Sequence, residues 1–264
     1  RVYANGWGQG SPDDKAQEAA ELVEQRGFNA LKFDPFPGPW REYPNRDELA
    51  EAADTVGKVR EAVGPHVELL IEVHRRLAPV HAISAAKQME KYNPYWFEEP
   101  CPPDNIDAIL EVKNNTTIPV VTGEAHYTRN GFREIFDKRA VDIINPDICN
   151  TGGILELTQI AAMAQPHYIA VSPHGYNSTS IGCAAAVHAS ATIPNFLIYE
   201  YFVNVEDVCR NITKGYLEPN NSYIELPAEP GLGIEIDETK LADYPYAPFP
   251  PRDIRTVEDE RRWH

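Results

Sequence analysis

Basic residues are scarce for a chain of this size. Its 264 residues hold 24 Lys and Arg against 40 Asp and Glu, a formal net charge of −16. Non-specific nucleic-acid binding depends on clustered cations that neutralise phosphates, so that class is excluded. Long apolar runs are missing too. No stretch approaches the roughly 20 residues that a membrane helix needs, and no membrane partner is expected. The four cysteines, Cys101, Cys149, Cys183 and Cys209, contain no Cys-x-x-Cys pair and are too few for a disulfide framework in so long a chain. A reducing cytoplasm is the expected location. No Gly-x-Gly-x-x-Gly follows the first strand-like run, which removes the main sign of a dinucleotide-binding fold.

What is present is a regular alternation. Short apolar runs occur at 2–5, 29–33, 67–73, 95–97, 119–121, 141–144, 168–171 and 196–199. Between them lie helix-like stretches. The first, SPDDKAQEAAELVEQRG, opens with Ser11 as N-cap and Pro12 at the first helical position, and stops at Gly27. Others are expected at 46–63, 79–92, 104–113, 130–138, 153–164 and 179–190. Strands alternating with helices imply right-handed βαβ units and a parallel sheet. Eight of them suit a closed α/β barrel of the TIM type. The alternation stops after residue 204, so residues 1–204 are read as a catalytic barrel. Residues 205–264 are read as a proline-rich tail that wraps the barrel or completes another domain.

In such barrels the active site lies at the C-terminal ends of the strands. Those positions hold Lys32 and Asp34 on strand 2, Glu72 and His74 on strand 3, and Glu98 and Glu99 on strand 4. Glu124, Asp147, His174 and Glu200 end strands 5 to 8. Glu72, Glu98 and Glu124 fall 26 residues apart, one βα unit each time. Three carboxylates converging on one mouth repel one another, and an all-oxygen set with open positions suits Mg2+. Asp147 beside His174 forms a general-base pair, because a carboxylate fixes an imidazole tautomer and raises its basicity. His74 shares a strand face with Glu72 by period 2 and is a second acid–base candidate. His126, two residues beyond Glu124, is a candidate substrate contact, as are Trp40, Arg41 and Tyr43 in the loop PFPGPWREYPNRD.

Taken in order, Lys32, Glu72-x-His74, Glu98-Glu99-Pro100, Gly123-Glu124, Asp147, Pro173-His174 and Glu200 resemble the mandelate racemase subgroup of the enolase superfamily. The likeness is greatest to its acid-sugar dehydratases of the galactonate, gluconate and arabinonate type, and the tail segment ELPAEPGLGIEID adds to it. The resemblance implies a (β/α)7β barrel with Mg2+ on Glu72, Glu98 and Glu124, and Asp147–His174 as the base. It implies that Lys32 and Glu200 contact the substrate carboxylate or the developing enediolate, and that His74 is the acid on the leaving hydroxyl. It also implies a small acid-sugar substrate and a symmetric homo-oligomer. The subgroup's N-terminal α+β capping domain is absent from these residues. Two positions depart from the pattern. Glu72 stands where the first metal ligand is usually Asp. Asp34, taken as a substrate-binding candidate, stands where racemases carry a second Lys, which argues for chemistry on one face. An epimerase or racemase, and a barrel that only binds sugar acids, are the alternative readings.

Overall fold

The computed structural model describes residues 1–38, 42–176 and 178–248. Local chemistry marks the helices clearly. α1 (Pro12–Arg26) is held at its start by a capping box between Ser11 and Asp14, and ends on Gly27 at φ 69°. α2 (Arg46–Val63) repeats the device with Asn45 and Glu48. The strands are β1 (Val2–Asn5), β2 (Ala30–Phe33), β3 (Glu68–Glu72), β4 (Trp96–Glu98), β5 (Val120–Thr122), β6 (Ile143–Ile144), β7 (Ala170–Val171) and β8 (Tyr199–Phe202). Between them run α3 (Pro79–Met89), α4 (Ile106–Lys113), α5 (Thr128–Lys138), the short α6 (Ile148–Thr151), α7 (Ile154–Ala164) and α8 (Ser180–Ser190).

Among the described residues, eight strands form one parallel sheet in the order β7-β6-β5-β4-β3-β2-β1-β8. The two end strands meet through the residues just before β8. Val171 N donates to Asn195 O at 2.9 Å, and Leu197 N donates to Val171 O at 2.8 Å. The last strand is therefore displaced from the expected 196–199. Residues 195–197 serve β7 and Tyr199–Phe202 serve β1, because a closing sheet must stagger its register. Inside the ring, Tyr3, Ala30, Leu70, Trp96, Val121, Ile143 and Ile198 form one buried apolar layer. The alternate residues of the same strands, such as Leu69 and Ile71, join the larger core beneath the helices.

Beyond β8 come α9 (Glu206–Ile212), an antiparallel pair of β9 (Thr213–Lys214) and β10 (Glu235–Ile236), and α10 (Glu238–Leu241). This segment packs back on the barrel. Ser222 O accepts from Val2 N at 2.7 Å, and Ser222 Oγ accepts from Asn29 N at 2.8 Å. Among the described residues, no helix is long and apolar enough to cross a membrane.

Candidate active site

The site is built by period 2. Two residues beyond six of the seven members of the apolar layer, the same strand face delivers a polar group: Asn5, Lys32, Glu72, Glu98, Asn145 and Glu200 follow Tyr3, Ala30, Leu70, Trp96, Ile143 and Ile198, while Val121 is followed by Gly123. A buried polar floor thus lies directly on a dry plug. Above it opens a cavity of about 1100 Å³, lined by Lys32, Asp34, Glu72, His74, Glu124 and His174 among others.

Lys32 is the centre of the floor and almost wholly buried. Its Nζ lies 2.5 Å from Glu200 Oε1, 2.6 Å from Glu98 Oε1 and 3.2 Å from Glu72 Oε2. Burial opposes its charge, but Glu200 and Glu98 outweigh that and raise its pKa well above the usual lysine value. Glu98 also accepts from Trp96 Nε1 and Asn145 Nδ2, both at 2.8 Å. Burial and the neighbouring charge of Glu72 nevertheless push its carboxyl up to about 8. Glu72 is also disfavoured by burial, yet His74 and Lys32 hold it well below the usual carboxylate range. Glu99 lies outside this group. It turns to β5, where its carboxylate accepts from Thr122 Oγ1 at 2.7 Å and Gly123 N at 2.9 Å, and burial raises its pKa.

Glu72, Glu98 and Glu124 each bring an oxygen within 4.8 Å of the other two, so together they could hold a metal ion. The donors fit a divalent cation. They are all oxygen, Glu72 and Glu98 are buried, and Glu98 is a carboxylate whose charge its surroundings leave under-compensated. The extra methylene of Glu72 does not take it out of the trio.

His174 stands beside this cluster. A parallel bridge between Asp147 and His174 extends the β6–β7 pairing past the strands and brings the two side chains together. His174 Nδ1 lies 2.7 Å from Asp147 Oδ2, and Nε2 lies 3.1 Å from Glu124 Oε2. Burial works against an imidazolium here, but Glu200 and the Asp147 hydrogen bond prevail and raise the His174 pKa. Glu200 is locked by Asn5 Nδ2 on Oε1 and Gly175 N on Oε2, both at 2.7 Å. Burial notwithstanding, Lys32 and His174 keep its carboxyl below the usual range.

His74 reaches the mouth by a different route from the expected one. β3 ends at Glu72, and His74 and Arg75 adopt left-handed backbone at φ 55° and 61°, so strand periodicity does not carry to His74. Such conformations cost roughly 1–2 kcal/mol per residue and must be held by their surroundings. His74 N donates to Glu72 Oε1 at 2.8 Å, and its Nδ1 lies 2.8 Å from Asp34 Oδ2. Asp34 lines the cavity, but its carboxylate also pairs with Arg76 and accepts from Phe36 N at 2.9 Å.

The structure does not bring His126 to the cavity. Its ring packs tilted against Phe132, centroids 5.7 Å apart, and burial lowers its pKa. Tyr43 packs edge-on against His81 and is absent from the lining, while Trp40 and Arg41 lie outside the described residues. Three site residues escaped the sequence reading. Asn5 and Asn145 end strands like the charged residues but are neutral, and Arg75, ion-paired with Glu124, sits in a turn that hydrophobic patterning does not describe.

A parallel barrel with a cluster of buried charged side chains at its C-terminal mouth, over an apolar plug, defines the class as a TIM-like α/β barrel with its candidate site on the strand ends. More narrowly, the chain belongs to the enolase C-terminal domain-like family, whose sequence pattern matches residues 14–240. It is 34% identical over 247 residues to a D-gluconate dehydratase of Thermoproteus tenax, covering 92% of this chain and 49% of that protein. It is 34% identical over 233 residues to a D-xylonate dehydratase of Haloferax volcanii, covering 86% and 56% respectively. A crystal structure of a mandelate racemase/muconate lactonizing enzyme-like protein from Rubrobacter xylanophilus superposes with a TM-score of 0.87 at 34% identity, over 93% of this chain and 68% of that one. The chain spans about half the length of the curated relatives it matches.

Proposed function

We propose that the chain is the barrel of a metal-dependent acid-sugar dehydratase, a hydro-lyase that converts an aldonic or aldaric acid into a 2-keto-3-deoxy acid. The observation that carries this reading is the contact between His174 Nε2 and Glu124 Oε2, 3.1 Å apart. It places an Asp-held imidazole directly against the carboxylate trio. A divalent cation on Glu72, Glu98 and Glu124, Mg2+ by the all-oxygen donor set, would supply Lewis acidity to the substrate carboxylate when bound. His174, oriented through Nδ1 by Asp147, takes the C2 proton at Nε2. Lys32, held under the cavity by buried carboxylates, presents fixed positive charge to the anion that develops as that proton leaves. His74 donates a proton to the departing C3 hydroxyl, and the enol tautomerises to the ketone. The names of the gluconate and xylonate dehydratase relatives support the substrate class.

The test is a screen of the full-length protein with Mg2+ against aldonic and aldaric acids, scoring 2-keto-3-deoxy products by NMR in D2O. At least one acid should be dehydrated, and His174→Asn should lower turnover by about 100-fold or more. C2 exchange with retention of the C3 hydroxyl would replace dehydration with epimerisation. Calorimetric binding with no chemistry would leave a barrel that only holds sugar acids.

A further inference from the structure

We infer that Asp34 is a positioning residue for His74, not a group that reads the substrate. The inference rests on the dehydratase reading for what His74 does, but not for how His74 is held. Asp34 leaves β2 at the cavity wall, where a carboxylate is well placed to meet a sugar hydroxyl. Its oxygens are already engaged. Oδ2 takes both His74 Nδ1, at 2.8 Å, and Arg76 Nη2, while Oδ1 accepts from Phe36 N at 2.9 Å. Lys15 Nζ further fixes the backbone by donating to Asp34 O at 2.9 Å. Turning the carboxylate to a ligand would break a charged pair on one oxygen and a backbone hydrogen bond on the other.

The anchor behind Asp34 is rigid. Arg76 is buried, donates from Nε to Val73 O at 2.8 Å, and lies 5.3 Å from the centroid of the Phe36 ring. The left-handed pair His74–Arg75 directs residues 74 and 76 to the same carboxylate oxygen. An Asp on Nδ1 keeps the proton on that nitrogen and assigns proton transfer to Nε2. His174 is keyed in the same way by Asp147, from the neighbouring strand. The cavity therefore holds two imidazoles, each set by an Asp across one strand pairing, β2–β3 for His74 and β6–β7 for His174.

The experiment compares Asp34→Asn, Asp34→Glu and His74→Asn in the full-length protein with Mg2+, using an acid sugar from the screen. Dehydration and C2 exchange in D2O are followed by proton NMR. A positioning role predicts that Asp34→Asn loses dehydration by about 100-fold or more, while KM and C2 exchange stay within about threefold. Asp34→Glu should recover part of the lost dehydration. A raised KM with unchanged kcat, or equal losses of exchange and dehydration, would overturn the inference by making Asp34 a substrate contact. Independently of turnover, 15N-histidine spectra should show the His74 proton on Nδ1 in the unsubstituted protein and a changed tautomer in Asp34→Asn. An unchanged tautomer also overturns the inference. A protein that dehydrates nothing would sink the dehydratase reading, and the spectra would still decide the role of Asp34.

Discussion

Lys32 sits where three buried carboxylates converge, and its energetics follow from that crowding. Deleting one partner of a buried ion pair typically costs about 3–5 kcal/mol, because the charge left behind has neither water nor counter-ion. Lys32→Met, which keeps most of the apolar stem, should lower the unfolding free energy by that amount in metal-free buffer, read from a urea titration. A loss under ~1 kcal/mol would mean that the carboxylates discharge by taking up protons. The same residue shows what a sequence reading can see. Lys32, Glu98, Asp147, His174 and Glu200 are legible because each interrupts or ends an apolar run with a charge that burial would forbid without a partner. Asn5 and Asn145 do the same work without a charge, and asparagine after a strand reads as an ordinary turn residue. His74 is legible by position only, since its placement comes from two left-handed residues that no periodicity announces.

The βα loops hold several of the candidate site residues, and one position in them tolerates little. Gly175, between β7 and α8, has no positive φ to explain it; the constraint is space. A Cβ there would lie 2.8 Å from Glu200 O and 2.9 Å from Tyr199 Oη, and the first of these is backbone that cannot swing away. Gly175→Ala should therefore cost about 1–3 kcal/mol in a denaturant titration, as overpacking does. It should also impair turnover beyond that loss, since His174 precedes it and Glu200 accepts from its N–H. Unchanged stability and turnover would show that the loop can relax. Most elements were readable from punctuation: Ser11 and Gly27 bracket α1, and Asn45 opens α2. α6 was not, because four residues are too few for a helical period. The displacement of β8 was not either, because register in a closed ring is set by both neighbours at once.

At the scale of the molecule, a net charge of −16 and a buried cluster of acids predict that divalent cations stabilise the fold. Mg2+ at about 100 times its dissociation constant should add about 2.7 kcal/mol and raise Tm by several degrees, reversibly with chelator. Glu98→Gln should remove that shift, and a persistent shift in the variant would place the ion elsewhere. Ring topology was legible from the count of alternating elements, whereas the segment after β8 was legible only as two alternatives, wrapping the barrel or completing another domain, because its seat follows from contacts such as Ser222 with Val2 and Asn29. The join between β1 and β8 has a further consequence, in time and not in energy. The Asn5–Glu200 hydrogen bond spans 195 residues of chain. Of the barrel strands, β1 is made before the others, and its pairing with β8 must wait until nearly the whole barrel has followed. Contacts so distant in sequence fold slowly, and open strand edges invite wrong partners meanwhile. The step that closes the ring is also the step that brings Glu200 to Lys32, so a nascent chain completes its floor of charges only when its last strand docks.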